Sequence, residues 1–79
     1  MLFRSIYFDL AKDSAVSLEI FNIKGQKVRG LANSDFKAGR HSMIWNGKDE
    51  SGRQVGSGVY FYRMVTNEYT AVKRMVLMK

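Results

Sequence analysis

The chain has 79 residues, a formal net charge of +6, and neither cysteine nor proline. This length fits one small domain, so we expect residues 1–79 to fold as a single unit. Without cysteine there is no disulfide framework and no thiolate zinc site, and without proline no strand assignment conflicts with a missing backbone N–H. The 13 Lys and Arg residues are spread almost evenly along the chain, as on solvent-exposed faces, so we expect no nucleic-acid partner.

Alternating apolar residues mark two strands in the first part of the chain. Over residues 6–10 and again over residues 16–20, every second residue is Ile, Phe, Leu or Val. This period of two is typical of half-buried β-strands. Lys24-Gly25-Gln26 then reverses the chain, and a short third strand is expected over residues 27–31.

The middle of the chain is less regular. Between residues 30 and 39 the alternation is lost, which predicts an irregular crossing with Phe36 turned inward. His41, Met43 and Trp45 then share one face of a fourth strand. A single histidine cannot form a Cys/His metal site, and no nucleophile is evident beside it, so we assign His41 to packing.

A glycine-rich segment follows Trp45. Four of the seven glycines lie between Trp45 and Gly58, which predicts sharp reversals of the backbone between two strands. A phosphate-binding loop would need a helix after its glycines, but a β-rich run, Val59 to Tyr62, follows instead. The oxygen-bearing side chains do not have the spacing of an EF-hand calcium loop, so turn capping is the favoured use of Asn46, Asp49 and Glu50.

Two further strands are expected, Val59 to Thr66 and Tyr69 to Met78. The end of the last one, residues 75–78, is apolar on both faces. A strand of that kind is an aggregation hazard when left open, and its flanking cations cannot cover it. We therefore expect it to be buried, either centrally in its own sandwich or against another molecule. The flanking cations are Lys73, Arg74 and Lys79.

No stretch of the chain repeats the helical i, i+3, i+4 pattern over three turns. Six or seven short strands at about ten-residue spacing favour an antiparallel β-sandwich, with an SH3-like or OB-type barrel as the alternative. No pair of carboxylates is placed for acid–base chemistry, so we predict a protein that is not an enzyme and uses no metal or cofactor. No apolar run reaches the ~18 residues of a membrane-spanning helix. The predicted core consists of Val16, Leu18, Ile20, Val28, Trp45, Tyr60, Tyr62, Met64, Met75 and Leu77.

Several segments resemble a known family in the same order along the chain. They are Val16 to Arg29, the Trp45-Asn46-Gly47-Lys48-Asp49 run, Ser57 to Arg63, and the apolar end with basic flanks, Lys73 to Lys79. Together they resemble the C-terminal sorting domains of the type IX secretion system. Those domains are in turn similar to the immunoglobulin-like domain of the flagellar hook-capping protein.

The resemblance implies an immunoglobulin-like β-sandwich of six to seven strands that is secreted or attached to the cell surface. Its partner would be the protein secretion machinery of the outer membrane. The alternative is a free-standing structural subunit that self-assembles by strand pairing into an extracellular fibre, cap or surface layer. Because the chain starts at Met1 with no leader and no cargo, we expect either a piece of a longer protein or this free-standing use. The recognition candidates are Asn22, Gly25, Gln26, Gly58, Tyr60, Lys73, Met75 and Leu77.

Overall fold

A computed structural model describes residues 4–78, which contain six β-strands and no helix. Alternating burial along the strands supports this assignment, and it is clearest where every second residue from Ile6 to Leu10 is buried. The described residues accordingly include no helix long and apolar enough to cross a membrane. In chain order the strands are β1 (Arg4–Leu10), β2 (Ser14–Asn22), β3 (Lys27–Phe36), β4 (Gly39–Trp45), β5 (Gly58–Thr66) and β6 (Thr70–Leu77).

The six strands form two antiparallel sheets. β1 pairs with β4 in a two-stranded sheet, and the other four strands follow the order β3-β2-β5-β6. Inward-facing side chains of both sheets meet in one core, so the molecule is a sandwich rather than a barrel. The prediction of an all-β antiparallel sandwich of six to seven strands is confirmed, with six strands.

The core lies between the sheets and includes every residue that the sequence predicted for it. Trp45, Leu18 and Leu77 have no exposed surface. Burying a side chain of leucine size stabilises the fold by about 1.5–3 kcal/mol relative to leaving it exposed. Val28 and Tyr62 are half-buried and pack against the same cluster. β1 completes the core with residues that the prediction left out, Ile6, Phe8 and Leu10.

Residues 30–36 do not form the irregular crossing that the sequence predicted. They continue β3, which pairs with β2 as far as Phe36. The register of this pair shifts near Glu19 and again near Phe21. Both shifts fall within residues 28–31 of β3, and the residues that follow, 33–35, are polar and exposed, so the sequence shows no alternation there although the strand persists. Phe36 does turn inward, and its ring meets the ring of Phe8 edge-on with centroids 5.6 Å apart.

The last strand, β6, lies at one end of the four-stranded sheet, so the expectation of central burial is wrong. Met75 and Leu77 face the core, whereas Val76 and Met78 are exposed. The other half of the expectation, burial against another molecule, stays a prediction. Lys79, one of the predicted flanking cations, lies outside the described residues, as does Met1.

Candidate interaction surface

The glycine-rich loop between β4 and β5, residues 46–57, covers the first part of one edge of the four-stranded sheet. The Glu50 N–H donates to the Val28 carbonyl oxygen at 3.0 Å, and the Gly30 N–H donates to Glu50 Oε2 at 2.9 Å. These bonds engage backbone groups of β3 that would otherwise be open to another chain. The loop therefore covers the first part of this edge, at residues 28–30.

Asp49 organises the loop. Its Oδ1 accepts hydrogen bonds from the Ser51 N–H at 3.0 Å, the Ser51 hydroxyl at 2.6 Å and the Arg53 N–H at 3.0 Å. The hydrogen bond from the Ser51 side chain, followed by that from the Arg53 backbone, holds the pKa of the Asp49 carboxyl below its usual value of 3.8. The Asp49 carbonyl oxygen also accepts a bond from Arg29 Nη1 at 3.2 Å. Gly52 reverses the chain with φ of 87°, in the left-handed region that favours glycine.

Two aromatic side chains anchor the loop to the core. Trp45 Nε1 donates to the Lys48 carbonyl oxygen at 3.0 Å, and the Tyr60 hydroxyl donates to the Gly56 carbonyl oxygen at 2.6 Å. The Trp45 and Tyr60 rings pack edge to face with centroids 5.1 Å apart. Burial raises the pKa of the Tyr60 phenol. Both ends of the loop are thus attached to buried rings that keep their polar atoms hydrogen-bonded.

The turn between β2 and β3 contains three of the recognition candidates. Asn22 Oδ1 accepts hydrogen bonds from the N–H groups of Lys24 and Gln26, both at 3.0 Å. Asn22 Nδ2 donates to Gln26 Oε1 at 2.9 Å, and Gly25 adopts φ of 82°. Asn22, Gly25 and Gln26 therefore build the turn itself. That a partner recognises them stays a prediction.

Cross-strand pairing brings most of the other candidates together. Tyr60 lies opposite Asn22 on one side and Met75 on the other, and Gly58 lies opposite Leu77. Tyr60, Met75 and Leu77 face the core, where their contacts are with other buried side chains. Their recognition by a partner also stays a prediction.

His41 packs against aromatic side chains, as the sequence indicated. Its ring stacks on Phe8 with centroids 5.4 Å apart and meets Phe36 edge-on at 5.1 Å. Its Nε2 lies 2.6 Å from the Lys37 carbonyl oxygen. The imidazole therefore fills space beside the core and ties β4 to the turn that precedes it.

On the outer face of the four-stranded sheet, Glu19 bridges three strands. From β2, its Oε2 lies 3.1 Å from Lys27 Nζ on β3, and its Oε1 lies 3.1 Å from Arg63 Nη2 on β5. The hydrogen bond from Lys27, followed by that from Arg63, lowers the pKa of Glu19 below its usual value of 4.5. The Arg63 guanidinium also lies 5.6 Å from the centroid of the Phe21 ring. One carboxylate thus partners two of the cations on this face.

The opposite edge of the sheet, β6, lacks a covering loop in the described part of the chain. On its outer side, Val72 is 61% exposed and Val76 is 39% exposed, with the exposed Arg74 between them. Lys73, also exposed, is one of the recognition candidates. Val72, Arg74 and Val76 are missing from the recognition candidates. The alternation of apolar residues with a cation over residues 72–76 was a signal that could have identified them.

A sandwich of two antiparallel sheets, with polar groups that build turns, ion pairs and sheet edges, defines a domain of the immunoglobulin-like class. The family model of the FlgD Ig-like domain matches residues 4–69, and the chain belongs to this family. FlgD is the flagellar hook-capping protein. The chain is also similar to a crystal structure of FlgD from P. aeruginosa, with a TM-score of 0.71 and 24% sequence identity, over 96% of this chain and 60% of that chain. No curated protein sequence matches the chain.

These matches confirm the immunoglobulin-like fold and correct the family. The assignment to type IX sorting domains is wrong, and so are the outer-membrane secretion machinery as partner and the secreted or cell-surface location. The motifs behind that assignment, such as the Asn22 turn and the loop after Trp45, build turns of the sandwich, so they report the fold rather than the function. The family is a structural one, which fits the alternative of a structural subunit better.

Proposed function

We propose that the chain is a non-enzymatic structural domain of a flagellar hook-capping protein, acting at the flagellum. The match of the FlgD Ig-like domain to residues 4–69 carries the proposal. The chain spans 60% of the length of the FlgD chain that it resembles, so residues 1–79 would form one domain of such a protein. Self-association of this domain by strand pairing stays a prediction.

The use of the ionisable side chains supports a structural rather than a catalytic role. Catalysis by acids and bases needs carboxylates poised beside a reacting group. Instead, five carboxylates accept hydrogen bonds from turns or form ion pairs with neighbouring cations. Within residues 4–78, no group of three or more His, Cys, Asp or Glu residues is placed to hold a metal ion. The pairs are Asp9 with Arg40, Asp13 with Lys37, Glu19 with Lys27 and Arg63, Asp49 with Ser51 and Arg53, and Glu50 with Gly30.

A domain exchange tests the proposal. In a flagellated bacterium that lacks its own hook-capping gene, we would express that hook-capping protein with this chain in place of its immunoglobulin-like domain. We expect hooks to be restored, as counted by electron microscopy, together with swimming in soft agar. An exported and folded chimera that leaves the cells without hooks would count against the proposal.

Two variants of the same chimera serve as controls. Trp45→Ala removes a fully buried side chain and should abolish complementation because the domain unfolds. Ile44→Ala changes the preceding residue, which is exposed, and should complement like the unaltered chimera. If both variants behaved alike, the complementation would not depend on the folded domain.

A further inference from the structure

The β6 strand offers a free backbone edge. It is the terminal strand of the β3-β2-β5-β6 sheet and pairs with β5 alone. Among residues 4–78, no other hydrogen bond reaches the backbone of Thr70–Leu77. Unpaired N–H and C=O groups along an edge strand are a template on which another strand can add.

The side chains of this edge have a defined pattern. Arg74 lies on the outer side between the exposed Val72 and Val76, and Lys73 lies on the opposite side of the strand. Neither Lys73 nor Arg74 forms an ion pair with a described residue, whereas two other cations of the same sheet share the carboxylate of Glu19. The middle of the free edge therefore has two unpaired positive charges, with exposed apolar surface on both sides of Arg74.

A second copy of the chain is a poor partner for this edge. Two copies could pair their β6 strands antiparallel and symmetrically, so that the outer face of one sheet continues into that of the other. When such a pair is centred on the middle of β6, either Lys73 or Arg74 of one copy lies opposite the same residue of the other. Like charges directly opposite each other destabilise a strand pair. The net charge of +6 adds repulsion between two copies at longer range.

A nucleic acid fits the edge less well than a polypeptide does. Its phosphates would satisfy Lys73 and Arg74, but it has no alternating N–H and C=O groups to continue the sheet. Arg63 lies opposite Val72 of β6 but is paired with Glu19, and the other cations are dispersed along the chain. The apolar side chains beside Arg74 are likewise matched by a peptide with apolar residues at alternate positions.

We propose that the β6 edge binds an extended segment of another protein, which adds to the sheet as a fifth strand. The segment carries carboxylates opposite Lys73 and Arg74 and apolar side chains opposite Val72 and Val76. Opposite charges and apolar pairs across neighbouring strands stabilise such an arrangement. This inference goes beyond the proposed structural role and stands without it.

A peptide titration tests the inference. The probe is the capped peptide Thr-Val-Thr-Glu-Glu-Val-Thr, which in antiparallel alignment places its two Glu residues opposite Arg74 and Lys73. A control peptide has Lys-Lys in place of Glu-Glu. We would follow both titrations by NMR of the isotope-labelled chain. We expect saturable shifts of the β6 amides with the acidic peptide, weakening as salt screens the charges, and none with the control peptide.

Charge-reversed variants make the test specific. Lys73→Glu and Arg74→Glu should each weaken binding of the acidic peptide by roughly tenfold or more, while Lys12→Glu, in the exposed turn between β1 and β2, should leave it unchanged. All three variants replace exposed side chains and should remain folded. Thermal unfolding followed by circular dichroism, unchanged from the wild type, would show this.

Several outcomes would overturn the inference. One is the absence of saturable shifts up to about 1 mM peptide. Others are shifts located on β3 instead of β6, equal binding of both peptides, or an equal effect of Lys12→Glu. Tighter binding of a random oligonucleotide to the same residues, or a concentration-dependent dimer formed through β6, would assign the edge to a different partner.

Discussion

The two ends of the four-stranded sheet are protected in different ways. At one end, the loop 46–57 lies along β3 and is bonded to it through Val28, Arg29 and Gly30. At the other end, β6 has no such cover among the described residues, and its middle carries Lys73 and Arg74. Covering loops and edge charges are both recognised ways to prevent unwanted strand pairing. Where the loop is bonded to β3 it excludes every other strand, whereas a charge on an edge strand excludes only partners of like sign.

The two edges also have different roles, because the covered edge contributes to stability and the open edge to recognition. The covered edge depends on the core, because its loop is anchored by Trp45 and Tyr60. The open edge depends on exposed charges, whose replacement changes the free energy of unfolding by only a few tenths of a kcal/mol. Variants that disturb the loop's hydrogen bonds, its backbone conformation or its anchors should therefore lower stability, and charge variants of β6 should change binding without doing so.

The largest effect is expected for Trp45→Ala. The substitution leaves a cavity in the core and removes the hydrogen bond to the Lys48 carbonyl oxygen. We expect the free energy of unfolding to fall by about 3–5 kcal/mol in urea denaturation followed by circular dichroism. The neighbouring Ile44→Ala, at an exposed position, should cost about 0.5 kcal/mol or less. Similar losses for the two variants would contradict the role of Trp45 as the anchor of the covered edge.

Two glycines of the loop give the next comparison. Gly52 has φ of 87° and Gly56 does not lie in the left-handed region, while an added Cβ would meet nothing within 4 Å at either position. Gly52→Ala should therefore cost about 1–2 kcal/mol through backbone strain alone. Gly56→Ala should be neutral or slightly stabilising, because it restricts the unfolded chain. Equal thermal stabilities of the two variants would show that the loop relaxes to another conformation.

Removing one bond between loop and sheet should expose the covered edge. Glu50→Ala deletes the acceptor of the Gly30 N–H, and we expect faster hydrogen exchange at that amide with a loss of stability of at most about 1 kcal/mol. Glu50→Gln keeps a side-chain oxygen that can accept this bond, so the Gly30 amide should exchange more slowly in Glu50→Gln than in Glu50→Ala. Exchange along β6 should be the same in all three proteins. A Gly30 amide that stayed protected in Glu50→Ala would mean that other contacts hold the loop in place.

The smallest effect concerns pH and the Glu19 ion pairs. Because the folded-state pKa of Glu19 lies below its usual value of 4.5, the pairs stabilise the fold above that pH. Their contribution is lost as the pH falls through the folded-state pKa. Lys27 and Arg63 are about half exposed, so we expect at most about 1 kcal/mol. Urea unfolding from about pH 6 to about pH 3 should show a smaller loss of stability for Glu19→Gln than for the wild type. If Glu19→Gln and the wild type lost the same amount of stability over this pH range, the Glu19 ion pairs would not contribute to the loss.

Part of the candidate surface could be predicted from the sequence because its signals are local. Asn22 and Gly25 follow the chemistry of a tight turn, and Asp49 follows that of a capped loop. Lys73 was identifiable from its place beside an apolar strand end. Arg74 was identified only as a flanking cation, and its exposed neighbours Val72 and Val76 were missed, because their importance depends on β6 being at the edge of a sheet.

The sequence by itself determined the class of fold and most of the core. Alternation of apolar residues is set by the geometry of each strand, so it identified the core positions, such as Leu18 and Leu77, without knowledge of any neighbour. Only the tertiary structure decided the order of the strands, and with it which edge is covered and which is open. It also decided that β3 continues to Phe36 by pairing with β2, although residues 33–35 are polar and exposed and show no alternation. These features arise from pairing between segments far apart in the chain, so no local pattern of residues could show them.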